Sequence, residues 1–195
     1  MPTNLGFRPP VIEIAGDVYP RGGSLSFEVD ASFSGAFVVN AFVRGGGQGA
    51  GGDADGTGTS APRFERGEYG TNGDYDQSVV ALVGDITVAI GARSMRGEDS
   101  EFVSGTGATG GAADGAGDTS VSADGVTLSV SGGSANGRGA VVTINNPPGD
   151  SDWQTAPFAL SPANPLGGLF GRGGGYSGFP IGSNNGVVQI VEVID

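Results

Sequence analysis

Apolar residues recur at every second position in several short stretches of this chain, the period of half-buried β-strands. Over 25–33, Leu25, Phe27, Val29, Ala31 and Phe33 share one face, and Ser26, Glu28, Asp30 and Ser32 take the other. After Ser34-Gly35 comes 36–43, with Phe37, Val39 and Val43 on one side and Val38 and Phe42 on the other. Large apolar groups on both faces predict a central strand. Two further strands, 78–83 and 86–90, flank Gly84-Asp85, a pair suited to a turn. Val126, Leu128 and Val130 mark another, and 101–104, 121–123 and 140–144 suggest shorter ones. The final stretch, 187–194, is apolar on both faces apart from Gln189 and Glu192, which again predicts a central position. No 3.6-residue apolar period persists for three turns. The predicted class is all-β, an antiparallel β-sandwich or jelly-roll-like domain with long glycine-rich loops.

Those loops are expected at 44–62, between the strands at 86–90 and 126–130, and at 166–186. Glycine and proline number 40 and 11 of 195 residues, close to the composition at which disorder is the default reading. Segments with so little to bury need order from main-chain hydrogen bonds or from neighbours, and other copies of the chain are the expected source. Residues 1–20 read as an extended attachment arm, because Pro9 and Pro10 enforce extended backbone and Val11-Ile12-Glu13-Ile14 can pair as a short strand. Residues 21–195 form the glycine-rich β domain.

Charge narrows the partners. Nine basic residues, all arginine, face 21 acidic ones, for a net charge of −12. Such a chain repels nucleic-acid phosphates and anionic membrane surfaces, so neither nucleic-acid binding nor membrane insertion is expected. With no cysteine and no histidine, disulfides, thiolate chemistry and imidazole metal sites are excluded. The opening residues lack the basic region and apolar run of a signal peptide, so synthesis in a cytoplasm without export by the usual route is expected.

The order of features resembles a known family. FVVNAFVRGGGQGAGG, then ITVAIGA, then DTSVSADGVTLSVSGGSANGRG, then FGRGGGYSG and a closing GVVQIVEVI are similar to the glycine-rich domain of bacteriophage tail-fibre, tail-tip and related virion proteins. The resemblance spans 24–194. It implies a non-enzymatic virion component, assembled in the host cytoplasm, concerned with host adhesion or particle architecture. It further implies a homo-oligomer, with a trimer favoured, joined to other virion proteins through the N-terminal arm and meeting a glycan or protein on the host surface. The competing expectations are a filament subunit assembled by strand complementation and a polysaccharide depolymerase.

Few residues suggest chemistry. The glycine run at 44–62 ends in no Gly-Lys-Ser/Thr, and Asp53 and Asp55 would repel a phosphate, which argues against nucleotide binding. The pairs Asp53/Asp55, Asp74/Asp76 and Asp150/Asp152 place hard oxygens at alternate positions, as calcium sites do, but none continues into a full loop with a bidentate glutamate. Solvated acidic turns are the preferred reading, with Ca²⁺ the only cofactor worth testing. Glu65 with Glu68 and Glu98 with Glu101 are the conceivable glycosidase pairs, set among charges where a raised pKa is hard to arrange. Trp153, Tyr176, Phe179, Tyr69 and Tyr75 are the candidate receptor contacts, with Trp153, between Asp152 and Gln154, placed first.

Overall fold

The computed structural model describes residues 11–14, 17–20, 23–55, 64–101, 108–135, 137–142, 163–174 and 182–193. Its strands are β1 (Val11–Ile14), β2 (Asp17–Pro20), β3 (Ser24–Phe27), β4 (Ala31–Arg44), β5 (Ala54–Asp55), β6 (Phe64–Glu65), β7 (Tyr75–Ala89), β8 (Ser100–Glu101), β9 (Ala108–Thr109), β10 (Thr119–Ala123), β11 (Val126–Val130), β12 (Val141–Val142) and β13 (Val187–Glu192). No helix occurs among the described residues. The arm contains a hairpin of its own, in which Val11 faces Pro20 and Ile14 faces Asp17.

Six strands form one antiparallel sheet in the order β11-β10-β7-β4-β13-β3. As its two-sided apolar pattern predicts, β13 lies inside the sheet, between β3 and β4. The expected breaks at Ser34-Gly35 and Gly84-Asp85 are not turns. Gly35 and Gly84 face each other across a continuous ladder, with Ser34 opposite Asp85 and Ala36 opposite Val83. Gly84 holds φ at 86°, which a glycine adopts without penalty, so the ladder bends there instead of ending. The chain breaks earlier, between Phe27 and Ala31, where the Asp30 carboxylate accepts a hydrogen bond from the Ile90 amide at 2.7 Å.

Alternation then decides which face is buried. Phe37, Val39, Ala41 and Val43 of β4 point the same way as Leu82, Ile86 and Val88 of β7, and they join Val121, Leu128, Val130, Val188 and Ile190 in one core. Strands of the same sheet cover this apolar face, and β1 of the arm also approaches β4. The sheet therefore folds over at the Gly35–Gly84 bend, and β10 and β11 come to lie against β4. Each fully buried aliphatic side chain in such a core is worth about 1.5–3 kcal/mol.

Folding over brings two strand ends together that are far apart along the ladder. Gly186, just before β13, donates its amide to the Gly91 carbonyl, just after β7, at 2.8 Å. The glycine tracts that adjoin β4, β7, β10, β11 and β13 consequently depart from one end of the sheet.

Candidate functional site

What those tracts do is set by their hydrogen bonds. In 45–53, which continues β4, the Gly45, Gln48 and Gly51 amides donate to the Asp74, Thr71 and Glu68 carbonyls at 2.8–2.9 Å. Gly46 and Gly52 donate to Gly117 and Gly111, while the Gly47, Ala50 and Asp53 carbonyls accept from Ser94, Gly97 and Ser100. The first and third of these neighbours are met again after every three residues, and the second after six. A strand would alternate between two directions; an extended threefold helix turns its amides through three, with no internal bonds to satisfy them.

Six stretches surround 45–53, and each is bonded to the next. Residues 67–74 meet 131–138 through Glu68 to Arg138 and Asp74 to Ser131. That stretch meets 110–117 through Ala116 to Gly133, and 110–117 meets 91–98 through Gly117 to Ala92. Gly186 to Gly91 joins 183–186, Asn184 to Arg172 joins 171–174, and Gly73 to Gly171 closes the ring on 67–74. All of 44–54 is buried inside it. A Cβ at Gly45, Gly46, Gly47, Gly49, Gly51 or Gly52 would overlap a carbonyl of an adjoining stretch. Glycine is required here by close approach. The expected loops are thus packed against one another, and tracts of the same chain supply the order that had been assigned to neighbouring copies.

Arg44 at the entry to the central tract and Gln48 and Asp53 within it are polar side chains, each with partners. The Gln48 Oε1 accepts from the Thr71 amide at 3.3 Å and from the Thr71 hydroxyl at 3.0 Å. The Arg44 guanidinium lies 5.7 Å from the Phe42 ring centre and 5.3 Å from that of Tyr75, rings that stack on each other. Burial pulls Arg44 below the ordinary guanidinium value, against the opposing effects of Tyr75 and Asp74. At the end remote from the sheet, Asp53 accepts from the Gly67 amide at 2.9 Å and pairs with Arg96, Nη2 to Oδ1, at 2.9 Å. This last contact is ionic, without the alignment of a good hydrogen bond. Arg96 reaches Asp99 at 2.7 Å, and Asp99 accepts from the Asp53 amide at 2.7 Å. Burial opposes the charge on Arg96, but its hydrogen bond to Asp99 and the nearby Asp53 outweigh that and raise its pKa.

Around this triad the remote end is finished by small sheets. β5 pairs antiparallel with β6 and parallel with β8, β9 pairs with β12, and Ala54, Ala108 and Ala140 pack together beneath them.

The predicted site residues fare differently. Asp53 is buried in the ion triad, not a solvated turn, and the side chain of its mate Asp55 is outside the described positions. Asp74 is exposed at the foot of β7, and Asp76 accepts from the neighbouring Gln77 amide at 2.7 Å. Among the described residues no group of three or more acidic side chains is gathered to hold a metal ion. Tyr69, expected as a receptor contact, is only 6% exposed, because the ring of tracts closes over it; it belongs to the interior. Tyr75 is 48% exposed but engaged with Phe42 and Arg44. Trp153, Tyr176, Phe179, Asp150 and Asp152 lie outside the described residues, as do the side chains of Glu65 and Glu101. Glu68 is paired with Arg138, at 3.7 Å, and Glu98 is exposed. Arg96 and Asp99 were not singled out from sequence. The signal for Arg96 was an arginine set in a side-chain-poor tract of an acidic chain, where only a carboxylate would hold it.

The triad has a pH signature. The hydrogen bond from Arg96 holds the Asp99 carboxyl below its ordinary range, against the opposing effect of burial. Its contribution is full above the unfolded value of about 3.9 and fades as pH falls through the lower folded value. Thermal midpoints measured from pH 7 down to pH 2 should therefore drop below about pH 4. Asp99→Asn should start lower at pH 7 and lose part of that drop; parallel curves would contradict this.

No protein-family model, curated protein or solved structure matches the chain.

Proposed function

We propose that this chain is a non-enzymatic virion structural protein, a tail-fibre, tail-tip or head-spike component acting in host adhesion or particle architecture. The observation that carries the reading is the glycine bundle. It extends from one end of a folded sheet and is held chiefly by main-chain hydrogen bonds between its tracts, so it behaves as a stiff post. A post held mainly through its main chain leaves its outward-facing positions free to change without loss of the core, which suits an adhesive surface. The resemblance of 24–194 to glycine-rich virion proteins agrees with this, as does the acidic charge. Antibody raised against the chain, seen by electron microscopy on particles from its source, should mark tails or spikes. Label confined to cellular filaments, or absent from particles, would end the proposal.

Copies are proposed to associate, as a trimer on the resemblance, through the outer face of β4, β7 and β13. Val38, Val79, Val83, Val191 and Val193 are 38–65% exposed there. Val38 is opposite Ala81, and Val83 opposite Ala36, so the patch is continuous across β4 and β7, with Glu192 beside it. On a chain of net charge −12 such a face is where copies meet with least repulsion. Wild-type protein should sediment as a homo-oligomer at micromolar concentration. The pair Val79→Asp and Val83→Asp should leave a folded monomer, since an unpaired carboxylate buried in an apolar contact costs several kcal/mol. A monomeric wild type, or an oligomer indifferent to both changes, would exclude this interface.

A further inference from the structure

A cavity of about 580 Å³ opens at the side of the molecule where the sheet gives way to the glycine bundle. Its lining is Glu28 and Val29 from the turn before β4, Arg93 from the tract after β7, Leu169 and Phe170, and Asn184 with Asn185 before β13. The volume falls within the range of small-molecule sites.

The polar groups are held but not used up. Asn185 Oδ1 accepts from the Arg93 amide at 3.0 Å, and Arg93 Nη1 donates to the Ser183 carbonyl at 3.1 Å. Asn184 Nδ2 donates to the Leu169 carbonyl at 2.9 Å. Each of these bonds fixes one atom of its side chain and leaves others free. The remaining Arg93 donors, Asn184 Oδ1, Asn185 Nδ2 and the Glu28 carboxylate have no partner among the described residues. Against them stand the apolar groups of Val29, at 72% exposure, Leu169, at 58%, and half-buried Phe170.

The charges narrow the ligand. An anion drawn to Arg93 would meet Glu28, a cation drawn to Glu28 would meet Arg93, and the net charge of −12 further disfavours a polyanion. A molecule of no net charge satisfies both, and one rich in groups that donate and accept, with an apolar face, also meets the two asparagines and the apolar wall. A sugar has both features: each hydroxyl donates and accepts, and the C–H face of a pyranose ring packs on aliphatic and aromatic side chains. A peptide would need a free row of main-chain groups, whereas this lining offers side-chain groups.

We propose that this cavity binds a neutral saccharide unit, with Arg93, Glu28, Asn184 and Asn185 on its hydroxyls and Leu169 and Phe170 under its ring. The proposal rests on the adhesion reading for its biological setting.

The test is retention of the full chain on immobilised neutral oligosaccharides of glucose, galactose, mannose and N-acetylglucosamine, with polygalacturonate and sialylated glycans alongside. At least one neutral glycan should be retained, and the acidic ones should not. Arg93→Ala and Leu169→Ser should each weaken that binding about tenfold or more. The second change alters an exposed side chain, so it tests the site even where the first disturbs the fold. Retention of no neutral glycan, preference for acidic glycans, or neutral binding unmoved by both changes would each overturn the proposal. A chain that marks virions but retains no glycan leaves the adhesion reading intact and removes this one. A chain that binds a neutral glycan through Arg93 but marks no particle does the reverse.

Discussion

Gly47→Ala is expected to leave the chain unable to fold, or destabilised by more than about 4 kcal/mol in urea unfolding. The added methyl would occupy the position of the Arg172 carbonyl in the adjoining stretch. Relief would require 45–53 and 171–174 to separate. That would break the neighbouring bonds from Gly47 to Asn184 and from Gly174 to Gln48, and buried main-chain groups would lose their partners. Gly51→Ala, aimed at the Arg138 carbonyl, should behave alike.

Two other glycines separate this cause from ordinary backbone strain. Gly125, in the turn between β10 and β11, holds φ at 72°, and an added Cβ there meets nothing within 4 Å. Gly125→Ala should therefore cost only about 1–2 kcal/mol, the penalty of a left-handed alanine. At Gly182 the nearest atom to an added Cβ is Arg93 Nη1, at 3.7 Å, an ordinary contact, and alanine should be tolerated there. Equal losses at Gly47 and Gly125 would show that the tracts are not packed as described.

Arg96→Met should cost about 3 kcal/mol or more, because it leaves the Asp53 carboxylate buried without its counter-ion. The Asp53 side chain is only 3% exposed, so without Arg96 its charge would stand in a poorly solvated site. Adding Asp53→Asn should restore much of the loss. An asparagine oxygen still accepts from Gly67 and carries no charge. The double variant should thus be more stable than Arg96→Met alone, with a coupling well above 0.5 kcal/mol in a double-mutant cycle. Additive losses would mean that the pair contributes nothing as a pair.

Much of the sheet was legible because burial on a strand shows as period two. The 126–130 strand, the central place of β13 and the two-sided β4 all follow from where the valines, isoleucines and phenylalanines stand. The errors were local. Ser34-Gly35 and Gly84-Asp85 look like turns, and Glu28-Val29-Asp30 looks like alternating strand, because small or charged residues carry the same local signal at a bend as at a break. Only the partner strand distinguishes them: Gly35 and Gly84 face each other, whereas Asp30 is drawn off to Ile90. The site was less legible. Tyr69 looked exposed among Gly, Glu and Asn neighbours and is buried by tracts distant in sequence.

By itself the sequence determined the all-β class, the strands, the acidic charge and the absence of thiol and imidazole chemistry, since these depend on which side chains are present and how often they repeat. Tertiary structure alone decided that the glycine tracts form a ring of six around one, and that Asp53 finds Arg96 at its far end. The reason is physical. A glycine writes no side-chain pattern into the chain, and its main-chain amide and carbonyl are the same at every position, so their partners are chosen by the fold that brings the tracts together.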